Sequence, residues 1–170
     1  MAAQLDEVSI RPARAEDADD IARVDIASWR GAYSEILPGS YLSSLDAEER
    51  ATLWRDAVAT ESTRILVAET DEGTVGFTSV GPSRDEDADD GDLEIYAIYL
   101  HPEAWGSGVA RELMRQVLGS VPRGASVTLW ILEENKRAQH FYRRHGFAPD
   151  GTERIDEIGG RPMTQVRYRR

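Results

Sequence analysis

Two closely spaced glycines, Gly106 and Gly108, lie where an apolar strand-like segment passes into a helical one. A glycine removes the side chain that keeps a ligand away from the backbone, and the first turn of a helix offers unpaired N–H groups and a positive dipole end. The arrangement fits an anion cradle for a phosphate or pyrophosphate, although a plain turn and helix cap explains the same spacing. No GxxxxGK[ST] P-loop is present, and a GxGxxG fingerprint needs glycine where Arg111 stands, so both of those motifs are excluded.

Two motifs in the second half resemble those of the GNAT N-acetyltransferase superfamily, whose members use acetyl-coenzyme A. The acyl-CoA signature of that family, Q/R-x-x-G-x-G/A, aligns with the stretch from Trp105 to Ala110, where Trp105 departs from the usual Gln or Arg. The second signature aligns with residues 135–147, which read N-K-R-A-Q-H-F-Y-R-R-H-G-F. The two motifs have the order and separation of the family, and the resemblance extends over nearly the whole chain.

The resemblance implies how the chain binds acetyl-CoA. In the family the fourth strand separates from the fifth, and main-chain groups equivalent to those of Ile98 and Leu100 bind the pantetheine arm in the gap, with the Ile98 N–H polarising the thioester carbonyl. Asn135 is most simply an N-cap and is also implied to contact CoA. Arg111 and Arg115 either reach the CoA phosphates or lie in solvent. The N–H groups implied to hold the pyrophosphate belong to Trp105, Gly106, Ser107, Gly108, Val109, Ala110 and Arg111.

Tyr142 and Glu94 are the candidate catalytic residues. Acetyl transfer to an amine expels a thiolate, which Tyr142 is implied to protonate as general acid; packing beside Phe141 is the alternative. An amine arrives mainly as an ammonium ion with a pKa of ~10 and must lose a proton, and Glu94 matches the glutamate base of some family members. Strand alternation puts Glu94 on one face with Tyr96 and Ile98. A structural or acceptor-binding carboxylate is the alternative.

The resemblance places the acceptor beside the first two helices. The candidates there are Trp29, Tyr33 and Glu35, because two aromatic rings and a carboxylate suit an alkylammonium, although a core position also explains Trp29. The loop from Asp85 to Asp92 holds six acids and either attracts cations or is simply solvated. The expected function is acetyl transfer to a primary amine, such as a polyamine or another small cation, by direct attack in a ternary complex. A non-catalytic acetyl-CoA sensor is the alternative.

Hydrophobic periodicity predicts the elements that must position these residues. The helix that begins near Asp46 is expected to turn Leu53, Trp54, Ala57 and Val58 inwards. The predicted order is β-α-α-β-β-β-α-β-α-β-β, which indicates a single α/β (α+β) domain over residues 1–170 with a mixed sheet. The family resemblance implies that this sheet is twisted, mostly antiparallel and flanked by helices. The predicted strands are 8–13, 64–70, 74–80, 93–100, 126–132, 154–158 and 163–169, and the predicted helices are 16–33, 46 onwards, 106 onwards and 135–145.

Charge is divided unevenly along the chain. The net charge of −11 comprises −15 in residues 1–100 and +4 in residues 101–170. A basic second part suits an anionic cofactor, and an acidic first part suits an ammonium substrate. The alternative is that both parts are ordinary solvated surface whose net charge differs along the chain without a function. The acidic total disfavours nucleic acid as a partner because phosphate is repelled.

Composition narrows the remaining classes of protein. No cysteine is present and the three histidines lack metal-binding spacing, so no metal site is expected. No apolar run reaches the roughly 18 residues of a membrane span, and residues 1–7 lack the features of a signal peptide. We therefore expect a cytoplasmic protein with no membrane partner, and the resemblance leaves a homodimer open because dimers are common in the family.

Overall fold

The computed structural model describes residues 7–170, in which seven strands form one sheet of order β1-β2-β3-β4-β5-β7-β6. Neighbouring strands are antiparallel except β4 and β5, which are parallel. The prediction of a mixed, mostly antiparallel sheet is confirmed. The strands are β1 (Ser9–Pro12), β2 (Arg64–Thr70), β3 (Gly73–Pro82), β4 (Leu93–Leu100), β5 (Val127–Leu132), β6 (Ala148–Ile158) and β7 (Arg161–Arg169).

The helices follow the predicted order with one addition. A single extra turn of helix, α2, begins at Gly39, directly after Pro38. Within residues 7–170 no helix is long and apolar enough to cross a membrane. The helices are α1 (Ala18–Tyr33), α2 (Gly39–Ser43), α3 (Ala47–Ala59), α4 (Val109–Gly119) and α5 (Lys136–Arg144).

The start of α3 shows why its sequence is helical at that point. The Asp46 carboxylate accepts a hydrogen bond of 3.0 Å from the Glu49 N–H and so satisfies a donor that the first turn leaves free. Trp54 packs inwards, with its ring 4.9 Å from that of Phe77. The expectation for Leu53 was wrong, because its side chain is 64% exposed.

Helices cover both faces of the sheet. On one side, called the α1 face below, Ile21 of α1 packs with Ala97 of β4. On the other side, called the α4 face, Leu113 of α4 packs with Leu100 of β4, and Tyr142 of α5 packs with the strand residues beside them. Any residue on β4 or β5 therefore points towards one of two different helical layers.

Strands β4 and β5 pair only at their first residues. Leu93 lies opposite Val127 and Glu94 opposite Thr128, and no further pair joins the two strands in the described chain, although β4 continues to Leu100. Beyond Glu94 the strands separate and leave a gap in the middle of the sheet. The family resemblance predicted this gap, and the structure confirms it.

A β-bulge at Tyr96 changes which way the β4 side chains point. The ladder to β3 skips Tyr96, since Ile95 and Ala97 pair with consecutive residues of that strand. Ile95 and Ile98, three residues apart, consequently both contact the core on the α4 face. Glu94, next to Ile95 on the strand, points to the α1 face. The prediction that Glu94 and Ile98 share a face was wrong because it assumed unbroken alternation.

Candidate active site

A cavity of about 900 Å³ occupies the gap between β4 and β5. Its volume is in the range of sites that hold a small molecule or cofactor. It is lined from both faces of the sheet, since residues of α1, α5 and the loop before α4 all contribute. The predicted site residues that line it are Tyr33, Ile98, Leu100, Trp105, Gly106, Ser107, Gly108, Ala110, Arg111, Asn135 and Tyr142.

The edge of β4 presents main-chain groups to this cavity. The His101 N–H donates to the Val75 carbonyl of β3 at 2.9 Å. Alternation along an antiparallel strand then directs the main-chain groups of Leu100 and Ile98 away from β3 and into the gap. The Leu100 carbonyl is already engaged there, because it accepts the Trp105 indole N–H at 3.3 Å. The main-chain groups of Ile98 and Leu100 therefore face the gap, as their predicted roles require.

The loop before α4 has a backbone that favours glycine at two positions. Gly106 has a φ of +76° and Gly108, the N-cap of α4, has a φ of +91°. A side chain at such an angle is strained by contact with its own carbonyl. The glycines therefore set the path of the loop as well as leaving space for close approach.

Not every N–H group in this loop is free to meet an anion. The N–H groups of Trp105 and Ser107 donate to the carbonyls of Pro102 (3.1 Å) and Ala104 (3.3 Å), and the Val109 N–H reaches the Ser107 hydroxyl at 3.4 Å. The Val109 side chain is buried in the core below. In residues 7–170 the N–H groups of the predicted set that have no protein partner are those of Gly106, Gly108, Ala110 and Arg111.

Three basic side chains on and after α5 also line the cavity, and sequence reasoning missed them. They are Arg137, Arg144 and His145. The Arg137 guanidinium lies 3.7 Å from the centre of the Trp105 ring and links α5 to the glycine loop. Burial, and then the charges of Arg144 and Arg111, lower the pKa of His145. The spacing of 137, 141 and 144 along a helix is the signal that points to this face.

The two arginines predicted on α4 differ. Arg111 lines the cavity. Arg115 is exposed and forms an ion pair with Glu112 one turn earlier. Of the two alternatives that the sequence left open, Arg111 is therefore in a position for phosphate contact, whereas Arg115 lies in solvent.

Tyr142 packs in the core and also borders the cavity. Its ring packs against Phe141 and Phe147 with centroid distances of 5.1 and 5.7 Å, and its side chain is only 8% exposed. It also lines the cavity. Burial, reinforced by the nearby phenol of Tyr33, raises the pKa of Tyr142. The phenol is therefore protonated at neutral pH and available as a proton donor.

Asn135 connects α5 to α1. Its carbonyl oxygen accepts the Ala138 N–H at 3.1 Å, which confirms the N-cap, and its amide donates to the Tyr33 hydroxyl at 3.0 Å. Burial raises the pKa of Tyr33. The N-cap of α5 thus holds one wall of the cavity in place.

Glu94 lies outside the lining of the cavity but on the face that α1 covers. It is 8% exposed, and its carboxylate accepts the Arg84 N–H at 3.0 Å. Burial raises the pKa of Glu94, and the hydrogen bond from Arg84 opposes that rise. A carboxylate with a raised pKa is a better proton acceptor than an ordinary one once it is ionised.

Two of the three predicted acceptor residues do not reach the cavity. Only Tyr33 lines it. Trp29 packs between Tyr33 and Tyr99, with ring centroids 4.8 and 6.5 Å away, and its indole N–H is buried without a partner in the described residues. Glu35 is exposed in the turn after α1. The surroundings of Trp29 are therefore those of a core residue, which was the alternative to its role as an acceptor residue.

On the α1 face the lining comes from residues that the sequence did not single out. Tyr96, Tyr99 and Trp130 are the aromatic ones. Hydrophobic periodicity did not identify them. It shows neither a β-bulge such as the one at Tyr96 nor which side of a continuously apolar strand such as β5 borders a cavity.

The acidic loop is attached to the sheet rather than free in solvent. Arg167 of β7, only 4% exposed, hydrogen-bonds Asp85 at 3.2 Å, Asp87 at 2.6 Å and Asp150 at 2.6 Å. The Trp130 indole also donates to Asp85 at 2.9 Å. Asp85 and Asp87 of this loop are therefore paired with a buried cation. Within residues 7–170 no three His, Cys, Asp or Glu side chains are grouped as metal ligands.

Known proteins resemble this chain in both sequence and fold. Residues 26–147 match the family described as acetyltransferase (GNAT) family. The N-acetyltransferase YuaI of Bacillus subtilis is 34% identical over 161 residues, which span 89% of this chain and 91% of that protein. The peptidyl-lysine N-acetyltransferase YjaB of Escherichia coli is 26% identical over 157 residues, spanning 89% and 90%.

A solved structure of PaiA N-acetyltransferase from Thermoplasma acidophilum in complex with coenzyme A has a TM-score of 0.72 to this chain at 17% identity, and covers 94% of this chain and 98% of its own. At that identity the likeness shows the fold. The matched family covers most of the chain, including the gap in the sheet, the glycine loop and Tyr142. The chain belongs to the GNAT family of acetyltransferases.

Proposed function

We propose that this protein transfers the acetyl group of acetyl-CoA to a primary amine by direct attack in a ternary complex. The observation that carries the proposal is that the gap between β4 and β5, the glycine loop and the Tyr142 phenol all border one cavity. Within this proposal residues 1–170 form one acetyltransferase domain that acts in the cytoplasm, where acetyl-CoA is available.

The residues around the cavity fit acetyl-CoA. The unpaired N–H groups of Gly106 and Gly108 and the start of α4 suit a pyrophosphate, and Arg111, Arg137 and Arg144 add positive charge at the same end. The open main-chain edge of β4 suits the amides of a pantetheine arm, which needs strand-like hydrogen bonds. Bound acetyl-CoA supplies a thioester, which is the activated acyl group.

The chemistry assigned to the protein has three parts. Glu94 takes the proton of the incoming ammonium, through water, so that the amine nitrogen attacks the thioester carbonyl carbon. The Ile98 N–H hydrogen-bonds the carbonyl oxygen as negative charge develops on it. Tyr142 donates its proton to the sulfur as the carbon–sulfur bond breaks, and the nitrogen gives up its second proton through water to the phenolate, which restores Tyr142. The products are an N-acetyl amine and free CoA thiol.

Free thiol release is the direct test of this function. Acetyl-CoA incubated with diamines, aminoglycosides, amino acids and amino-acid amides is expected to yield free thiol with at least one acceptor. Polyamines belong in the panel because the charge of residues 1–100 favours a small cation. Thermal stabilisation by CoA with no thiol from any amine would instead support the acetyl-CoA sensor.

Glu94→Gln tests the proton acceptor. An amide oxygen still accepts the Arg84 N–H, so the fold is expected to survive. Because burial raises the pKa of Glu94, kcat/KM of the unaltered protein should fall as pH drops through a value above that of an ordinary glutamate. We expect the variant to lose this acid limb together with about 10²- to 10⁴-fold of kcat/KM.

The control for Glu94→Gln is Glu61→Gln, which removes an equal charge from an exposed turn. An unchanged pH profile and turnover in Glu94→Gln would give that carboxylate a structural role and assign proton removal to water alone.

A further inference from the structure

Two arginines stack on the aromatic side chains that line the α1 face of the cavity. The Arg84 guanidinium lies 3.8 Å from the centre of the Tyr96 ring, and the Arg154 guanidinium lies 4.1 Å from the centre of the Trp130 ring. Both rings line the cavity. Stacking holds each guanidinium by its flat face and leaves its edge N–H groups to meet other partners. The Arg154 Nε donates to the Gln165 side-chain oxygen at 2.6 Å, so in the described chain its terminal N–H groups are the ones left for a ligand.

Sheet register brings these groups to one area. Glu94 lies opposite Thr128 of β5, and Trp130 follows two residues later on the same face. Trp130 pairs with Arg167 of β7, and Gln165, two residues earlier on β7, pairs with Arg154 of β6. The α1 face of β4, β5, β7 and β6 therefore carries Glu94, Trp130 and Arg154 in sequence across the sheet.

Arg84 reaches the same area from the loop after β3. Its main-chain N–H is bonded to the Glu94 carboxylate, and its side chain covers Tyr96. Burial raises the pKa of Glu94 and the charge of Asp85 adds to that rise, whereas the charges of Arg84 and Arg154 oppose it, so both guanidinium groups and Asp85 are near that carboxylate.

The nearby acids do not cancel these two arginines. Arg167 pairs with Asp85 and with two further acids, as described above. In the described chain Arg84 has no acid within 4.0 Å. Arg154 has one, Asp156 at 3.4 Å, and both of those side chains are almost half exposed, where ion pairs are weak. The area therefore presents one buried carboxylate beside two available guanidinium groups.

We propose that the acceptor is an amino acid, whose carboxylate binds Arg84 and Arg154 while its ammonium group faces Glu94. This proposal rests on the proposed function and names the acceptor class for the same site. The guanidinium edge matches the two oxygens of a carboxylate, and the adjacent Glu94 matches the opposite charge of a zwitterion. A polyamine, which lacks an anionic group, would bring its second cation against Arg84 or Arg154.

The test compares each amino acid with its own amide as acceptor. Leucine, methionine, glutamine and lysine, the four corresponding amides and 1,4-diaminobutane are incubated with acetyl-CoA, and thiol release is measured. We expect at least one amino acid to exceed its amide in kcat/KM by roughly 10- to 150-fold, as a hydrogen bond to a charged partner predicts. The amine of the amide is less basic than that of the amino acid, so more of it is unprotonated and able to react at neutral pH. This difference favours the amide and therefore works against the expected result.

Arg84→Gln is the matched variant, and Arg123→Gln, which removes the same charge from an exposed loop, is its control. Arg84→Gln should lower kcat/KM for the preferred amino acid roughly 10- to 150-fold. The loss for the amide should be clearly smaller than the loss for the amino acid, because removing the Arg84 charge also changes the pKa of Glu94 for both acceptors. The Kd of CoA should stay unchanged, and Arg123→Gln should match the unaltered protein in all three.

The outcomes separate the two proposals. Thiol release with the diamine or with the amides at rates equal to or above those of the amino acids would overturn the amino-acid proposal and leave the acetyltransferase function standing. Equal losses for amino acid and amide in Arg84→Gln would also overturn it, because the arginine would then support the site generally. Absence of thiol release with every amine would remove both proposals.

Discussion

The sides of the cavity proposed for the cofactor and for the acceptor, called the cofactor side and the acceptor side below, draw on the chain in different ways. On the cofactor side the groups that face the cavity are mostly main chain, and they come from residues 93–147, which are contiguous in sequence. On the acceptor side they are side chains from α1, the loop after β3, β4, β5 and the β6–β7 hairpin, so segments distant in sequence contribute as well. A main-chain site depends on local backbone angles, whereas a side-chain site depends on which distant strands meet.

The two sides also treat charge differently. The cofactor side gathers Arg111, Arg137 and Arg144 without burying an acid among them. The acceptor side contains many acids, but Arg167 neutralises Asp85 together with the acids beside it. The division of net charge along the sequence therefore agrees with the basic lining of the side proposed for the cofactor and overstates how negative the side proposed for the acceptor is.

The largest expected effect is on the boundary between the two sides, at Tyr142. Tyr142→Phe keeps the ring that packs with Phe141 and Phe147 and removes only the phenolic proton. With an acceptor from the thiol-release panel, kcat should fall about 10²- to 10⁴-fold, while calorimetry should show an unchanged Kd for CoA. Retained turnover would mean that Tyr142 only packs and that the thiolate leaves unprotonated or with a proton from water.

The next effect should be confined to the acceptor side. Arg167→Met removes the buried cation between Asp85 and Asp150 and leaves Asp85 with the Trp130 indole N–H and Asp150 with Arg169 at 3.3 Å, which should lower the free energy of unfolding by about 3 kcal/mol. Urea denaturation measures this. Arg123→Met, in an exposed loop, should change it little.

If Arg167→Met still folds, the comparison predicts a raised KM for the acceptor and a nearly unchanged Kd for CoA, because the acidic loop is released while the gap between β4 and β5 is intact. A weakened CoA site in this variant would show that the two sides are not built independently.

The smallest effect should be confined to the cofactor side. Gly108→Ala places a Cβ on a residue with a φ of +91°, a conformation that costs about 1–2 kcal/mol for a residue with a side chain. We expect the Kd of CoA to rise roughly 5- to 30-fold, as measured by calorimetry, with the amino-acid preference unaltered. Gly119→Ala, at the end of the same helix with open space around it, is the control and should leave the Kd unchanged.

Local patterns predicted most of the elements and part of the site. Asp46 and Asn135 cap helices through their own side chains, so their positions are visible in a few residues of sequence. The same type of reasoning failed for Leu53, since helical spacing does not say which side of α3 meets the sheet. Trp29 and Glu35, which the sequence analysis selected as acceptor residues, lie outside the lining of the cavity. That selection had no motif to align.

The sequence by itself determined the glycine loop, the helix caps, the order of helices and strands along the chain and the motifs of the acetyltransferase family. Each of these depends on residues a few positions apart. Only the tertiary structure decided that Glu94 faces the α1 side, because a bulge at Tyr96 interrupts alternation. It also decided that Arg167 pairs with Asp87 from 80 residues away, and that Arg84 and Arg154 stack on rings that line the cavity. Backbone conformation is set by near neighbours, but the charge that a substrate meets is set by strand register.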